Sequence, residues 1–220
     1  MKLSLTSNQL KILALVTMTV DHIGAYLLPD LLILRIIGRL ALPIYAYMIA
    51  EGCKHTRNRR KYLLQMAGMA ALCQLVYFFA MGSLYQCILV TFTLSILLIY
   101  AYDAGSRLHL AVALLGVAFV TVALPRLLQG TDFAVDYGFF GVLVPVLTYF
   151  GEDRRQKLVM CAVALVFLAC VAGGIQWLGL LALVPLALYN GQRGKARMKG
   201  LFYWYYPLHL VAIYGIGLLI

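Results

Sequence analysis

The chain has 220 residues, of which 64% are hydrophobic and 12% charged, and a net charge of +10. Its mean hydropathy is +0.91. A water-soluble domain carries about 25% charged residues, so this composition excludes a soluble globular fold and points to an integral membrane protein. The apolar runs are long and lack the alternation of outer-membrane barrel strands. They select an all-α polytopic helical bundle, read as one domain over residues 1–220.

Nine transmembrane helices can be drawn, at about 9–28, 31–51, 62–80, 84–102, 108–125, 138–150, 158–172, 175–189 and 200–219. The sixth, seventh and eighth fall below the roughly 17–25 residues of a standard span. They are expected to tilt through a thin region, or the seventh and eighth to form a re-entrant hairpin around Gly173-Gly174. The first segment is of spanning length with no small-residue cleavage site after it, so it reads as a retained span rather than a signal peptide. One set of loops holds Lys54, Arg57, Arg59, Arg60 and Lys61, then Arg107, then Arg154, Arg155 and Lys157, then Arg193, Lys195, Arg197 and Lys199, and Lys2 and Lys11 join it. The other set holds Arg126 with Asp30, Asp132 and Asp136. A basic excess in short loops marks the cytoplasmic side, which predicts a multi-pass protein of the bacterial cytoplasmic (inner) membrane with its N-terminus cytoplasmic. The same placement argues against nucleic acid as a partner. Five scattered cysteines without a CxxC pair support neither a metal site nor a disulfide framework.

Within the first two apolar runs lie Asp21, His22, Arg35 and Arg39. A charge at mid-bilayer costs roughly 2.5–3.5 kcal/mol on insertion scales, so such a cluster is a functional-site hypothesis. At about 1.5 Å rise per residue, Asp21 and His22 lie about 18–20 Å from the cytoplasmic end, Arg39 roughly 18 Å and His209, in the last span, about 15 Å. Asp21 can neutralise one arginine, and the surplus guanidinium suits an anion or a developing oxyanion. The alternative is a helix clamp in which Arg35 snorkels outward and Arg39 alone pairs with Asp21. His209 is a candidate base or nucleophile, or a helix-bridging histidine, with Tyr205 one turn before it. Glu51 and the run Lys54-His55-Thr56-Arg57-Asn58-Arg59-Arg60-Lys61 read either as a lipid-headgroup anchor or as a phosphate site for a nucleotide-bearing donor. His55 and His109 are expected to be solvated. On the far side Asp132 and Asp136 suit a cationic or amine-bearing acceptor, or plain loop solvation. Tyr203, Trp204 and Tyr206 read as an interfacial aromatic belt.

At these residues the chain resembles the TraX family, membrane proteins named for N-acetylation of conjugative pilin. The resemblance rests on Thr19-Val20-Asp21-His22-Ile23-Gly24, on Arg35-Ile36-Ile37-Gly38-Arg39 with Leu42-Pro43, on Ala50-Glu51-Gly52, on Asp136-Tyr137-Gly138, and on Tyr206-Pro207-Leu208-His209-Leu210. It implies a multi-spanning acyltransferase that uses acetyl-CoA, akin to the wider group of transmembrane acyltransferases. The motif positions it carries over are Asp21, His22, Arg35, Arg39, Glu51, Tyr206 and His209. Family members often have Asn before a Phe-Thr-Leu stretch. Here Leu89-Val90-Thr91 precedes Phe92-Thr93-Leu94, so the acceptor need not be pilin.

The expected function is therefore acetyl transfer from cytoplasmic acetyl-CoA to an amine or hydroxyl acceptor (a protein N-terminus, a peptide or a small compound) in or across the membrane, with no metal. His209 or His22 takes the proton-transfer or nucleophilic role, by direct transfer or through an acetyl-histidine. Asp21 orients its neighbour or clamps Arg39, and Arg39, alone or with Arg35, holds the thioester carbonyl or stabilises its oxyanion. Arg35, Glu51, Tyr205, Tyr206, Asp132 and Asp136 are substrate-binding candidates, and Lys54, Arg57, Arg59, Arg60, Lys61, Arg193 and Lys195 are candidates for the phosphates of CoA. A proton-coupled transporter and a noncatalytic assembly factor for surface structures are the other classes that fit the cluster.

Overall fold

The computed structural model describes residues 4–195 and 198–219. Lys2 and Arg197 lie outside them, and the side chains of Lys199, Phe202 and Tyr203 are likewise not described.

Local chemistry sets the helix ends. Helix α1 (Ser7–Tyr26) opens with a capping box, in which the Thr6 hydroxyl accepts from the Gln9 N–H while the Gln9 side chain accepts from the Thr6 N–H. Helices α2 (Leu32–Gly38) and α3 (Ala41–His55) run on from one another but break at Arg39-Leu40. Pro43 lacks the N–H that would bond the Arg39 carbonyl, and this frees the backbone to bend at the buried arginine. Helix α4 (Arg59–Met81) starts at the Asn58 cap and ends on left-handed Gly82. Helix α5 spans Ile88–Asp103. Helix α6 (Arg107–Ala118) widens into a π turn at Phe119–Ala123, just before Pro125 in α7 (Leu124–Leu127). Then come α8 (Gly138–Phe150), α9 (Arg154–Ala172), a 3-10 helix (Gly174–Ala182) leading into α10 (Leu183–Ala187), and α11 (Lys199–Gly217).

Joined where they are continuous, these segments make nine helical rods among the described residues, one on each expected span. Leu32–His55, Arg59–Met81, Arg107–Leu127 and Arg154–Ala172 are long and apolar enough to cross a membrane. The last of these corrects the expectation of a short seventh span. The Asp153 cap starts α9 ahead of the purely apolar run, so its polar first turn lengthens it to 19 residues. Its return limb is short, as expected, and Gly173 and Gly174, both at positive φ, make the turn between the two.

Side-chain and backbone contacts join loops into two groups. At the basic end Arg59 pairs with Asp103 at 2.6 Å, Lys157 with Glu51, and Lys54 reaches the Gly151 carbonyl. At the far end Asp132 holds the Ser83-Leu84 turn, and Gln86 exchanges backbone bonds with Ala134 and Asp136. Helix α3 is the axis of the core, with Ile44, Ala46, Tyr47 and Ala50 at 1% exposure or less. Large apolar side chains such as Phe79, Leu115 and Val184 stand exposed on the surface, which is compatible with a membrane protein.

Two glycines bring α1 against α2. A Cβ at Gly24 would lie 2.7 Å from the Cβ of Leu34, and one at Gly38 would lie 2.1 Å from Asp21 Oδ1. Asp21 is thus seated directly on bare backbone.

Candidate active site

Asp21 is held between two guanidiniums. Arg35 Nη1 donates to its Oδ2 at 2.6 Å and to its main-chain carbonyl at 3.0 Å, and Arg39 Nη2 donates to Oδ1 at 2.6 Å. Arg39 is fixed further: its Nε donates to the Arg35 carbonyl at 3.1 Å, and its Nη1 to Tyr137 Oη at 3.2 Å and Gln176 Oε1 at 3.3 Å. This corrects the expectation that Asp21 serves one arginine. A carboxylate has two oxygens, each able to take a charge-assisted bond, so the clamp carries its excess positive charge over both guanidiniums. The alternative clamp, with Arg35 turned outward, is not what forms.

One residue along, His22 Nδ1 lies 2.7 Å from His209 Nε2 with the rings stacked at 4.9 Å, while His209 Nδ1 lies 3.0 Å from the Tyr205 carbonyl. Tyr205 stacks on His209 at 5.3 Å, and its hydroxyl meets Thr19 Oγ1 at 2.9 Å. Tyr206 turns its ring edgewise to both imidazoles. Residues from α1, α2 and α11 thus meet at one depth, as helical rise alone suggested.

Two cavities flank this cluster, each of about 550 Å³. The far cavity is bordered by Asp21, His22, Arg35, Arg39, Asp136 and Tyr137, with Tyr26, Tyr77, Tyr85 and Cys87. The basic-end cavity has Lys11, His55, Thr56 and Arg193 among its lining, and a long apolar wall that includes Met18, Met48, Met66, Met69 and Phe92. Tyr206 borders both.

A family model described as TraX protein matches residues 6–217. The chain belongs to the TraX family. Among curated relatives, a probable fimbrial assembly protein FimC, serogroup H1, from Dichelobacter nodosus is 27% identical, with 93% of each chain covered. An uncharacterized protein from Rickettsia prowazekii (strain Madrid E) is 27% identical over 82% of this chain and 68% of its own. No solved structure matches.

Of the positions that resemble the TraX family, Asp21, His22, Arg35, Arg39 and Tyr206 border the far cavity, and His209 is bonded to His22 behind them. Glu51 borders the basic-end cavity but is paired with Lys157 and lies 3.6 Å from His55, so its charge is already matched. Tyr205 borders the same cavity. Tyr206, read also as part of an aromatic belt, is 6% exposed and sits between the cavities, because α11 turns this face inward. Trp204 is outward and exposed.

Two cations of the basic run over residues 54–61 are spent on structure. Lys54 bonds Gly151 and Arg59 bonds Asp103, while Arg57, Arg60 and Lys61 are exposed and are not part of the cavity lining. Lys195 is exposed and outside that lining too, whereas Arg193 is in it. Lys11, one turn above the α1 cap, faces Arg193 there.

At the far end Asp132 stays exposed, and its bonds from Ser83 and Leu84 lower its carboxyl below the usual carboxylate range. Asp136 borders the cavity, and burial pushes its carboxyl up to about 6 even though Tyr85 donates to it at 2.8 Å. Tyr137 holds a left-handed φ of 59°, a conformation costly for a residue with a side chain, and spends it on placing its hydroxyl against Arg39. Lys11, Gln176, Tyr85, Tyr137 and Thr19 were not singled out from sequence as site residues. Thr19 and Tyr137 both stand in stretches that resemble the family, and that was the signal available.

Proposed function

We propose that this chain is a membrane-embedded acetyltransferase of the bacterial cytoplasmic membrane. It moves an acetyl group from cytoplasmic acetyl-CoA, entering the basic-end cavity, to an amine or hydroxyl that enters the far cavity. One observation carries the reading: the two cavities adjoin at Tyr206, beside the stacked pair His22 and His209.

The chemistry suits each end. Lys11 and Arg193 offer cations to the phosphates of the donor, with Asn8, His55 and Thr56 as polar neighbours. The apolar, methionine-rich wall suits the pantetheine arm, because methionine adapts to an irregular chain. The acceptor X–H attacks the acetyl carbonyl, the X–C bond forms, the C–S bond breaks, and the X–H proton passes by way of a histidine of the pair to the leaving thiolate. Arg35, whose hydrogen bonds among the described residues use Nη1 alone, keeps other N–H groups for the developing oxyanion. Residues 1–220 act as one domain with the N-terminus in the cytoplasm.

The test supplies labelled acetyl-CoA and candidate amines and alcohols to the purified protein in vesicles. Label in the acceptor with release of CoA, lost in His22→Ala, is expected. Solute or proton flux without CoA release would replace the reading by a transporter. A second reading, a noncatalytic part in fimbrial assembly, is favoured by the name of the Dichelobacter nodosus relative. It predicts that substitutions in the charged cluster alter partner binding with no acetyl transfer.

A further inference from the structure

The hydrogen bonds of the histidine pair assign its protons. A main-chain carbonyl can only accept, so the 3.0 Å contact with the Tyr205 oxygen places a hydrogen on His209 Nδ1. A neutral imidazole carries one N–H, which leaves His209 Nε2 as an acceptor. The 2.7 Å contact between the rings then needs its hydrogen on His22 Nδ1, and a neutral His22 keeps its lone pair on Nε2. A second proton on the pair would add a positive charge beside the Arg35–Asp21–Arg39 clamp, which is already in positive excess. The two nitrogens of one ring diverge, so Nε2 points away from His209. Among the described residues it has no hydrogen-bond partner, and His22, unlike His209, borders the far cavity.

We infer that His22 Nε2 is the atom that takes the acceptor proton, and that His209 is a positioning residue which holds His22 in the Nδ1–H tautomer. This rests on the acetyltransferase reading and divides the two roles within it. The sequence left the two histidines equivalent, and the orientation of the chain Tyr205 carbonyl, His209, His22 is what separates them. As X–H attacks, its proton passes to Nε2 and the new positive charge is shared through Nδ1–H with His209. The X–C bond forms, the C–S bond breaks, and the proton returns from the imidazolium to the thiolate.

The experiment has two readouts on the full chain in lipid bilayers. The first is 15N nuclear magnetic resonance of histidine-labelled protein, assigned with His22→Gln and His209→Gln. Both residues are expected as Nδ1–H tautomers, the form that free imidazole side chains favour less. A protonated Nε2 on neutral His22 overturns the assignment. The second readout is acetyl transfer. His209→Gln returns an acceptor oxygen to the place of Nε2 and is expected to keep activity within about ten-fold, whereas His209→Leu loses about a hundred-fold and His22→Gln more. In His209→Leu the His22 signal is expected to move to Nε2–H. Full activity in His209→Leu overturns the positioning role. If the wild type acetylates no acceptor, the acetyltransferase reading fails, while the resonance spectra still decide the tautomer.

Discussion

The two cavities have similar volume and opposite construction. The basic-end cavity is walled by methionines and other apolar side chains, with its cations at one rim. The far cavity is walled by groups that hold one another: Asp21 by two arginines, Arg39 by Tyr137 and Gln176, Asp136 by Tyr85. The first can adapt to a long amphipathic ligand, while the second offers fixed dipoles and charges to a small reacting centre. The same chain thus separates binding from chemistry by how firmly each wall is tied.

The contrast can be broken most directly at His22. His22→Ala is expected to lose acetyl transfer by about 10²–10⁴-fold, read in steady-state turnover, with binding of acetyl-CoA retained. Next, Arg39→Leu removes one of the two guanidiniums that hold Asp21, together with the bonds to Tyr137 and Gln176, and is expected to lower stability by about 1.5–3 kcal/mol in denaturant or thermal unfolding, whereas Met66→Leu in the other wall changes it by less than about 1.5 kcal/mol. Equal losses from the two would show that the walls are tied alike. Gly38→Ala sets a methyl against Asp21 and is expected to cost about 1–3 kcal/mol and most of the activity, while Gly68→Ala, which faces open space, is expected to cost nothing. At the donor rim, Lys11→Ala and Arg193→Ala are expected to raise KM for acetyl-CoA about ten-fold with kcat nearly unchanged. Arg60→Ala leaves KM alone, and an equal rise there would move the phosphate site to the basic run.

The smallest effect is a pH dependence at Asp136. Its folded carboxyl holds its proton up to about 6 against an ordinary 3.8, so the folded state binds the proton more tightly than the unfolded chain. Stability from this group is full below the ordinary value and is lost as pH rises through about 6. Unfolding temperatures are expected to fall slightly over that window, and Asp136→Asn to flatten the change.

Much of this was legible from the chain. Asp21, His22, Arg35, Arg39 and His209 stand out because an ionisable group in an apolar run needs a reason, and helical rise put them at one depth. The sharing of Asp21 by both arginines was not legible, because residue types fix possible partners but not distances. Nor was the division among the cations: Lys54, Arg59 and Arg193 look alike in sequence, and only the nearness of Gly151, Asp103 or the cavity rim tells them apart. Gln176 lies in an otherwise apolar stretch, and it gains meaning only because the 3-10 limb carries it to Arg39.

The sequence by itself determined the nine rods among the described residues and the family, since a rod follows from an unbroken apolar run and its caps, and the family from short motifs in order. Tertiary structure alone decided that Tyr206 stands between the cavities and that the Tyr205 carbonyl, His209 and His22 form one directed chain. Those two facts depend on the rotation of α11 about its own axis and its contact with α1, which residue order along either helix does not specify.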